Sequence, residues 1–458
     1  MLYQLLRATG AIALRWYYAD ILVQGRERVP AHGPLVVVAN HPNALVDALL
    51  AGVTVPRRLR LTAKSTLFES PALAVLLRAV GVVPLRRVKD MVRVAGPDGV
   101  TPERNADAFQ LVTAALRTGE AVLVFPEGIS HDQPGIAPLK TGAARMALQA
   151  RDAGAAGLRV LAVGLIFERK ERPGSRVLVR IGAPLDLDDW LATTVEPDAA
   201  ALTAEIDERL HAVTLNFASE ERAERAVALA RALAALSTEP AALDRPRPLD
   251  AEADIARRVD LATGALASAA PTVIAQADAL TARLAQVEAS LASRGASLAD
   301  LRISLRVHHG ALFVLREGML ATLAVVVAVV GRLTHWVPFT LGRVLAMRTL
   351  VGDPSRDQPA MRTILIGLVC VLAWYVVLGA AVARWFGTPA ALLVLASCFA
   401  AAHVDRLLHG RLRRAVRRAR TYLAFRADPA FHEKALREVD AMLVDALALE
   451  RELGGIGR

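Results

Sequence analysis

A histidine and an aspartate six positions apart, His41 and Asp47, flank the turn in VVVANHPNALVDALL (residues 36–50). A strand-like apolar run there gives way to a second apolar stretch. A neutral imidazole in such a turn can take a proton from a hydroxyl as it attacks a carbonyl. A carboxylate within reach of the other ring nitrogen would fix the tautomer and stabilise the imidazolium. Asn43 is placed to cap the following helix through its side chain. No serine or cysteine stands beside the pair, so the natural attacker is a substrate hydroxyl, giving acyl transfer without an acyl-enzyme. A second carboxylate, Glu127, follows another apolar run in VFPEGISHD (124–132), and Gly128 allows close backbone approach. Glu127 suits hydrogen bonding to a polyol hydroxyl, with Ser130 as a further contact and His131-Asp132 either a second polar contact or loop residues capping a turn. Lys64 in AKSTLF and Arg86 and Arg87 in GVVPLRR are the candidate clamps for a phosphate.

The elements that must position these residues read as an α/β domain. Apolar runs at 34–39, 121–125, 160–167 and 176–181 have strand character, and helical patterns fall near 44–52, 71–80, 105–118 and 140–152. Their alternation predicts a mostly parallel central sheet flanked by helices over residues 21–195, with His41 and Glu127 at one sheet edge. Residues 1–20 predict a helix lying in a membrane interface, since Arg7 and Arg15 interrupt its apolar face and Trp16, Tyr17 and Tyr18 end it, with a helix packed on the domain as the alternative. The apolar stretch has no small-residue cleavage site, which argues against a signal peptide. Residues 196–310 are rich in Ala, Leu, Arg and Glu at helical spacing and predict a helical region.

Residues 311–405 read as a membrane region with a hairpin at 363–402, and 406–458 as a basic helical tail. The apolar stretch 319–331 is short, and the polar break after it suggests a second hairpin or an interfacial element. Arginines on both sides of the 363–402 hairpin predict an integral membrane protein with its catalytic half on the cytoplasmic face, the inner membrane in a bacterium. The chain has 458 residues, 54% hydrophobic, and a net charge of +10. That excess suits anionic headgroups or phosphate substrates. Aromatics at 5% do not interleave with the basic runs, which disfavours a nucleic-acid partner. Two cysteines, Cys370 and Cys398, lie in apolar segments and offer neither a disulfide framework nor a zinc site.

Together, NHPN with Asp47, AKSTLF with GVVPLRR, FPEGISHD and VGLIF (163–167) resemble, in order and spacing, the four motifs of the glycerolipid acyltransferase superfamily. The resemblance covers roughly residues 20–195. It implies a base role for His41, an orienting role for Asp47, and acyl-acceptor contacts for Arg87, Glu127 and Gly128. The fourth motif is implied on the acyl-donor side. Ser-His-Asp after the Glu-Gly, with Asn105, Phe109 and Gln110 ahead of it, is most similar to the fungal-type glycerol-3-phosphate/dihydroxyacetone-phosphate acyltransferase branch. The implied acyl donor is coenzyme A or another thioester as co-substrate, with no cofactor or metal. Lysophosphatidate or another lysophospholipid is the alternative acceptor, and a non-catalytic lipid-binding scaffold is the alternative of another class. Two departures stand out: five residues rather than four separate His41 from Asp47, and Arg86 precedes Arg87 where an acidic or polar residue is common.

Overall fold

The computed structural model describes residues 1–69, 71–85, 106–237, 249–266, 269–349 and 358–456. Arg86, Arg87 and Asn105 lie outside the described residues. The chain divides into two compact units, Met1–Glu220 with Thr349–Leu365, and Glu221–Arg348 with Ile366–Arg458.

The first unit opens with helix α1 (Leu2–Tyr17), strand β1 (Asp20–Gln24), β2 (Leu35–Ala39), α2 (Ala44–Thr54) and β3 (Leu59–Lys64). It continues with α3 (Pro71–Ala79), β4 (Val83–Leu85), α4 (Ala106–Arg117), β5 (Ala121–Val124) and α5 (Gly142–Asp152). Strands β6 (Arg159–Phe167), β7 (Arg176–Ile181) and β8 (Leu185–Asp186) then lead to α6 (Leu187–Thr193) and α7 (Ala199–Val213). The sheet order is β1-β7-β6-β2-β5-β3-β4, with β8 pairing β6. It is mostly parallel: among the described residues only the β6–β7 and β6–β8 pairs are antiparallel.

Both faces of the sheet are covered, so its central strands are apolar throughout rather than alternating with polar residues. The period of two still sorts them. Val36, Val38, Val122 and Val124 pack with α4, α5 and α7 on one face. Leu35, Val37, Ala39 and Leu123 pack with α1, α2, Ala360 and Ile364 on the other. The change of composition at residue 196 is therefore not a structural boundary: Leu202, Ile206 and Leu210 of α7 are buried in the first of these cores.

Backbone packs directly on backbone where α7 ends over β6. A Cβ at Gly164 would lie 2.1 Å from the Val213 carbonyl oxygen. Gly164→Ala should consequently lose about 1–3 kcal/mol by overpacking, read as a lowered Tm of the purified protein.

Helix α1 docks on the domain through Leu14 and Tyr17. Its Arg7 guanidinium donates to the carbonyls of Val53 and Val55 at the end of α2, at 3.1 and 2.9 Å. Leu2, Leu5 and Ile12 remain exposed on the opposite side.

The second unit is helical: α8 (Glu220–Ser237), α9 (Leu249–Leu266), α10 (Pro271–Ala292), α11 (Val307–Thr349), α12 (Pro359–Phe386), α13 (Thr388–Ala427) and α14 (Pro429–Ile456). The first residue of α8 and the opening turns of α12 fall in the first unit. Three of these helices are long and apolar enough to cross a membrane: Gly310–Thr349, Pro359–Phe386 and Thr388–Ala427. The break expected after residue 331 is absent, and α11 runs unbroken through Pro338. The polar residues that suggested a break are satisfied by neighbouring helices instead. Arg332 donates to Asp405 at 2.9 Å, and the His335 ring meets the Tyr375 hydroxyl at 2.9 Å. Leu284 and Leu291 of α10 and Val439 and Met442 of α14 share a buried cluster.

Candidate active site

Strands β5, β2 and β6 are adjacent and parallel, so their carboxyl ends open side by side. That is the place where open α/β sheets bind ligands. His41 follows β2, the 125–132 loop follows β5, and Lys170 lies beyond the end of β6.

The His41 ring lies stacked on Phe125, centroids 4.0 Å apart and planes at 13°. Its Nδ1 is 2.9 Å from Asp47 Oδ2. A carboxylate at that distance accepts the Nδ1–H, which leaves the Nε2 lone pair as the basic site. No hydrogen bond to Nε2 is made among the described residues. Asp47 is fully buried, and its Oδ2 also accepts the Asn43 N–H at 2.6 Å. Burial pushes the Asp47 carboxyl above the ordinary carboxylate range, against the opposing effects of His41, the Asn43 N–H and Lys170. Its Oδ1 is buried without a hydrogen-bond partner.

Between His41 and Asp47 the turn passes through Ala44, whose φ is +46°. Left-handed backbone at a residue with a Cβ costs roughly 1 kcal/mol. Ala44→Gly should therefore keep turnover and hold or raise Tm, whereas Ala44→Val should lower both. Asn43 does not cap α2 with its side chain as expected; Asp47 reaches back to the Asn43 backbone instead. The Asn43 amide donates to the Tyr18 hydroxyl at 2.9 Å and to the Lys170 carbonyl at 3.3 Å.

Glu127 also differs from the sequence expectation. Its carboxylate turns inward rather than toward a hydroxyl at the open sheet edge. Oε1 accepts the His41 N–H at 2.6 Å, and Oε2 accepts the Ala137 N–H at 2.7 Å and the Nε2–H of His131. The physical reason is burial: a carboxylate with a side chain 0% exposed requires internal donors. His131 is held by the same bond, and its Nδ1 accepts the Gln133 N–H at 3.2 Å. Gly128 has φ +76°, a conformation that disfavours any other residue. Ser130 is half-buried in the same loop, and Lys64 ends β3 at the same sheet edge, paired with Leu85.

Sequence reasoning passed over three residues that hold this site together. Lys170 donates to Pro42 O at 2.7 Å and His131 O at 3.1 Å, and its ammonium is 2.6 Å from Asp132. One cation thus ties the turn carrying His41 to the loop carrying Glu127. The Tyr18 hydroxyl donates to Lys170 O at 3.1 Å. Asn40 makes a two-way bond with the Leu165 backbone, at 2.7 and 3.0 Å, fixing the end of β2 to the fourth motif. In that motif Val163 and Leu165 are core residues.

This arrangement holds one imidazole in a fixed orientation at an open sheet edge, the geometry a general base requires. Residues 20–165 match the family model described as Acyltransferase. An uncharacterized acyltransferase of Schizosaccharomyces pombe is 24% identical over 255 residues, 39% of this chain and 38% of that protein. Glycerol-3-phosphate O-acyltransferase 2 of Saccharomyces cerevisiae is 38% identical over 85 residues, 18% of this chain and 11% of that protein. The chain therefore spans well under half the length of these curated relatives. A solved structure of the 1-acyl-sn-glycerophosphate acyltransferase of Thermotoga maritima matches with a TM-score of 0.34 at 20% identity, covering 46% of this chain and 77% of that one. Residues 20–165 thus match an acyltransferase domain, and parts of the chain are similar to fungal acyltransferases.

Proposed function

We propose that the protein is a membrane-bound O-acyltransferase that moves a fatty acyl group from an acyl thioester to the sn-1 hydroxyl of glycerol 3-phosphate or dihydroxyacetone phosphate. The observation that carries this reading is the His41–Asp47 pair, with Nδ1 bonded at 2.9 Å and Nε2 left for a substrate. In the proposed step Nε2 takes the hydroxyl proton while the oxygen attacks the thioester carbonyl. The carbon–sulfur bond then breaks, and the imidazolium returns the proton to the leaving thiolate. Asp47 keeps Nδ1–H in place throughout. Ser-His-Asp after Glu127 and the similarity to a yeast glycerol-3-phosphate acyltransferase support the choice of acceptor.

In this reading the apolar helices α11 to α13 anchor the chain in a bilayer whose anionic headgroups meet the arginines of residues 406–420. The exposed Leu2, Leu5 and Ile12 of α1 would lie against the lipid surface. Mass spectrometry of products tests the acceptor, using purified protein given equal glycerol 3-phosphate and lysophosphatidate with acyl-coenzyme A. The expected product in excess is lysophosphatidate; phosphatidate formed from added lysophosphatidate alone would overturn the sn-1 assignment.

A further inference from the structure

Lys140 closes the third-motif loop with an ammonium that makes no ion pair among the described residues. Its backbone N–H donates to Pro126 O at 2.9 Å, which folds the 126–140 loop closed and brings the side chain across Gly128. A Cβ built on Gly128 would lie 2.8 Å from Lys140 Nζ and 3.1 Å from its Cδ. The lysine thus occupies the space that any side chain at 128 would fill. Lys140 is exposed, and among the described residues its ammonium makes no ion pair or side-chain hydrogen bond. Lys170, the other lysine in contact with this loop, is committed to Asp132 and two carbonyls. The two titratable groups nearest in sequence to Gly128, Glu127 and His131, are bonded to each other.

The placement relates this cation to the base. Gly128 follows Glu127, whose carboxylate holds the His41 backbone N–H at 2.6 Å. In a three-carbon acceptor only a few bonds separate the reacting hydroxyl from the phosphate, so the cation that binds the phosphate must lie close to the base. A lysine ammonium is a mobile point charge suited to a phosphate dianion. An unpaired one at a ligand-binding sheet edge also costs less to desolvate once an anion sits beside it.

From this we infer that Lys140, seated over Gly128, binds the phosphate of the acyl acceptor and sets the preference for phosphate-bearing acceptors. The inference rests on the proposed acyltransferase reading and names a residue for its acceptor side. Gly128 serves it by leaving room for the lysine.

Steady-state kinetics of full-length Lys140→Met and Lys140→Arg test it, with glycerol 3-phosphate and with glycerol as acceptors. Lys140→Met should raise the KM for glycerol 3-phosphate at least tenfold, about 1.4 kcal/mol, with kcat within threefold. Turnover of glycerol should not change, and Lys140→Arg should recover most of the lost affinity. An unchanged KM, or an equal loss with glycerol, would overturn the assignment. Isothermal titration with inorganic phosphate reads the lysine independently of turnover: the wild type should bind, and Lys140→Met should bind at least tenfold more weakly. Equal phosphate binding by both would remove Lys140 from the site. A wild type that binds phosphate through Lys140 but acylates no phosphate-bearing acceptor would reject the proposed reaction and keep the anion site.

Discussion

Asp47→Asn should lower kcat by about 10²- to 10⁴-fold, and His41→Ala by at least as much, while the Asp47 variant holds or gains thermal stability. The loss of rate follows from the base. An asparagine oxygen can still accept the Nδ1–H, but it does not balance the positive charge that the ring acquires when Nε2 takes a proton. The stability outcome follows from burial. Asp47 is fully buried, one of its oxygens has no partner, and burial raises its carboxyl above the ordinary value of 3.8. The folded chain therefore holds that proton more tightly than the unfolded chain does. The resulting stability is fully present below the unfolded value and is lost as pH rises through the folded one. At neutral pH the charged carboxylate burdens the fold, and a neutral amide of the same shape relieves it. Kinetics paired with a thermal melt checks both halves. A fall in Tm of several degrees together with the fall in kcat would instead make Asp47 a structural residue.

The pair that carries this prediction was legible in the sequence because it is local. His41, Asn43 and Asp47 lie on one strand-to-helix turn, and types and spacing alone suggest the contact. Their position at the end of a buried strand was legible for a related reason, since apolar runs of strand length announce a covered sheet. What holds the turn in place was not legible. Lys170 reaches Pro42 over 128 positions, Asn40 meets Leu165 over 125, and Asn43 bonds Tyr18 over 25. Each of these side chains reads as an ordinary loop or helix residue until the sheet brings it to the same edge. The same holds in the apolar half. Arg332 and His335 look like a break in α11 because their partners, Asp405 and Tyr375, are 73 and 40 positions away. A polar residue signals a helix end only when nothing across the packing interface can satisfy it.

Glu127 shows how a residue singled out in the sequence can take another place in the fold, and its substitution should have the other large effect. The sequence places this carboxylate at the acceptor; the fold seals it behind the turn, with both oxygens bonded to His41 N–H, Ala137 N–H and the His131 ring. Removing it orphans the buried Ala137 N–H, at about 1–3 kcal/mol, and the partly buried His41 N–H. It also frees the segment that aims the imidazole, and a base displaced by about 1 Å loses on the order of 10²-fold in rate. Glu127→Ala should therefore lower Tm and cut kcat by roughly 10²-fold or more. Glu127→Gln keeps one oxygen but sets an NH₂ group against a donor, so it should fold better and still lose rate, because an amide cannot accept from all three donors. In both variants the KM for glycerol 3-phosphate should stay within about threefold. The KM is the deciding readout: a carboxylate that touched the polyol would raise it, as Lys140→Met is expected to do. A tenfold or greater rise in KM for Glu127→Gln with little change in kcat would return Glu127 to the acceptor. A selective fall in kcat makes it the residue that holds His41 in line.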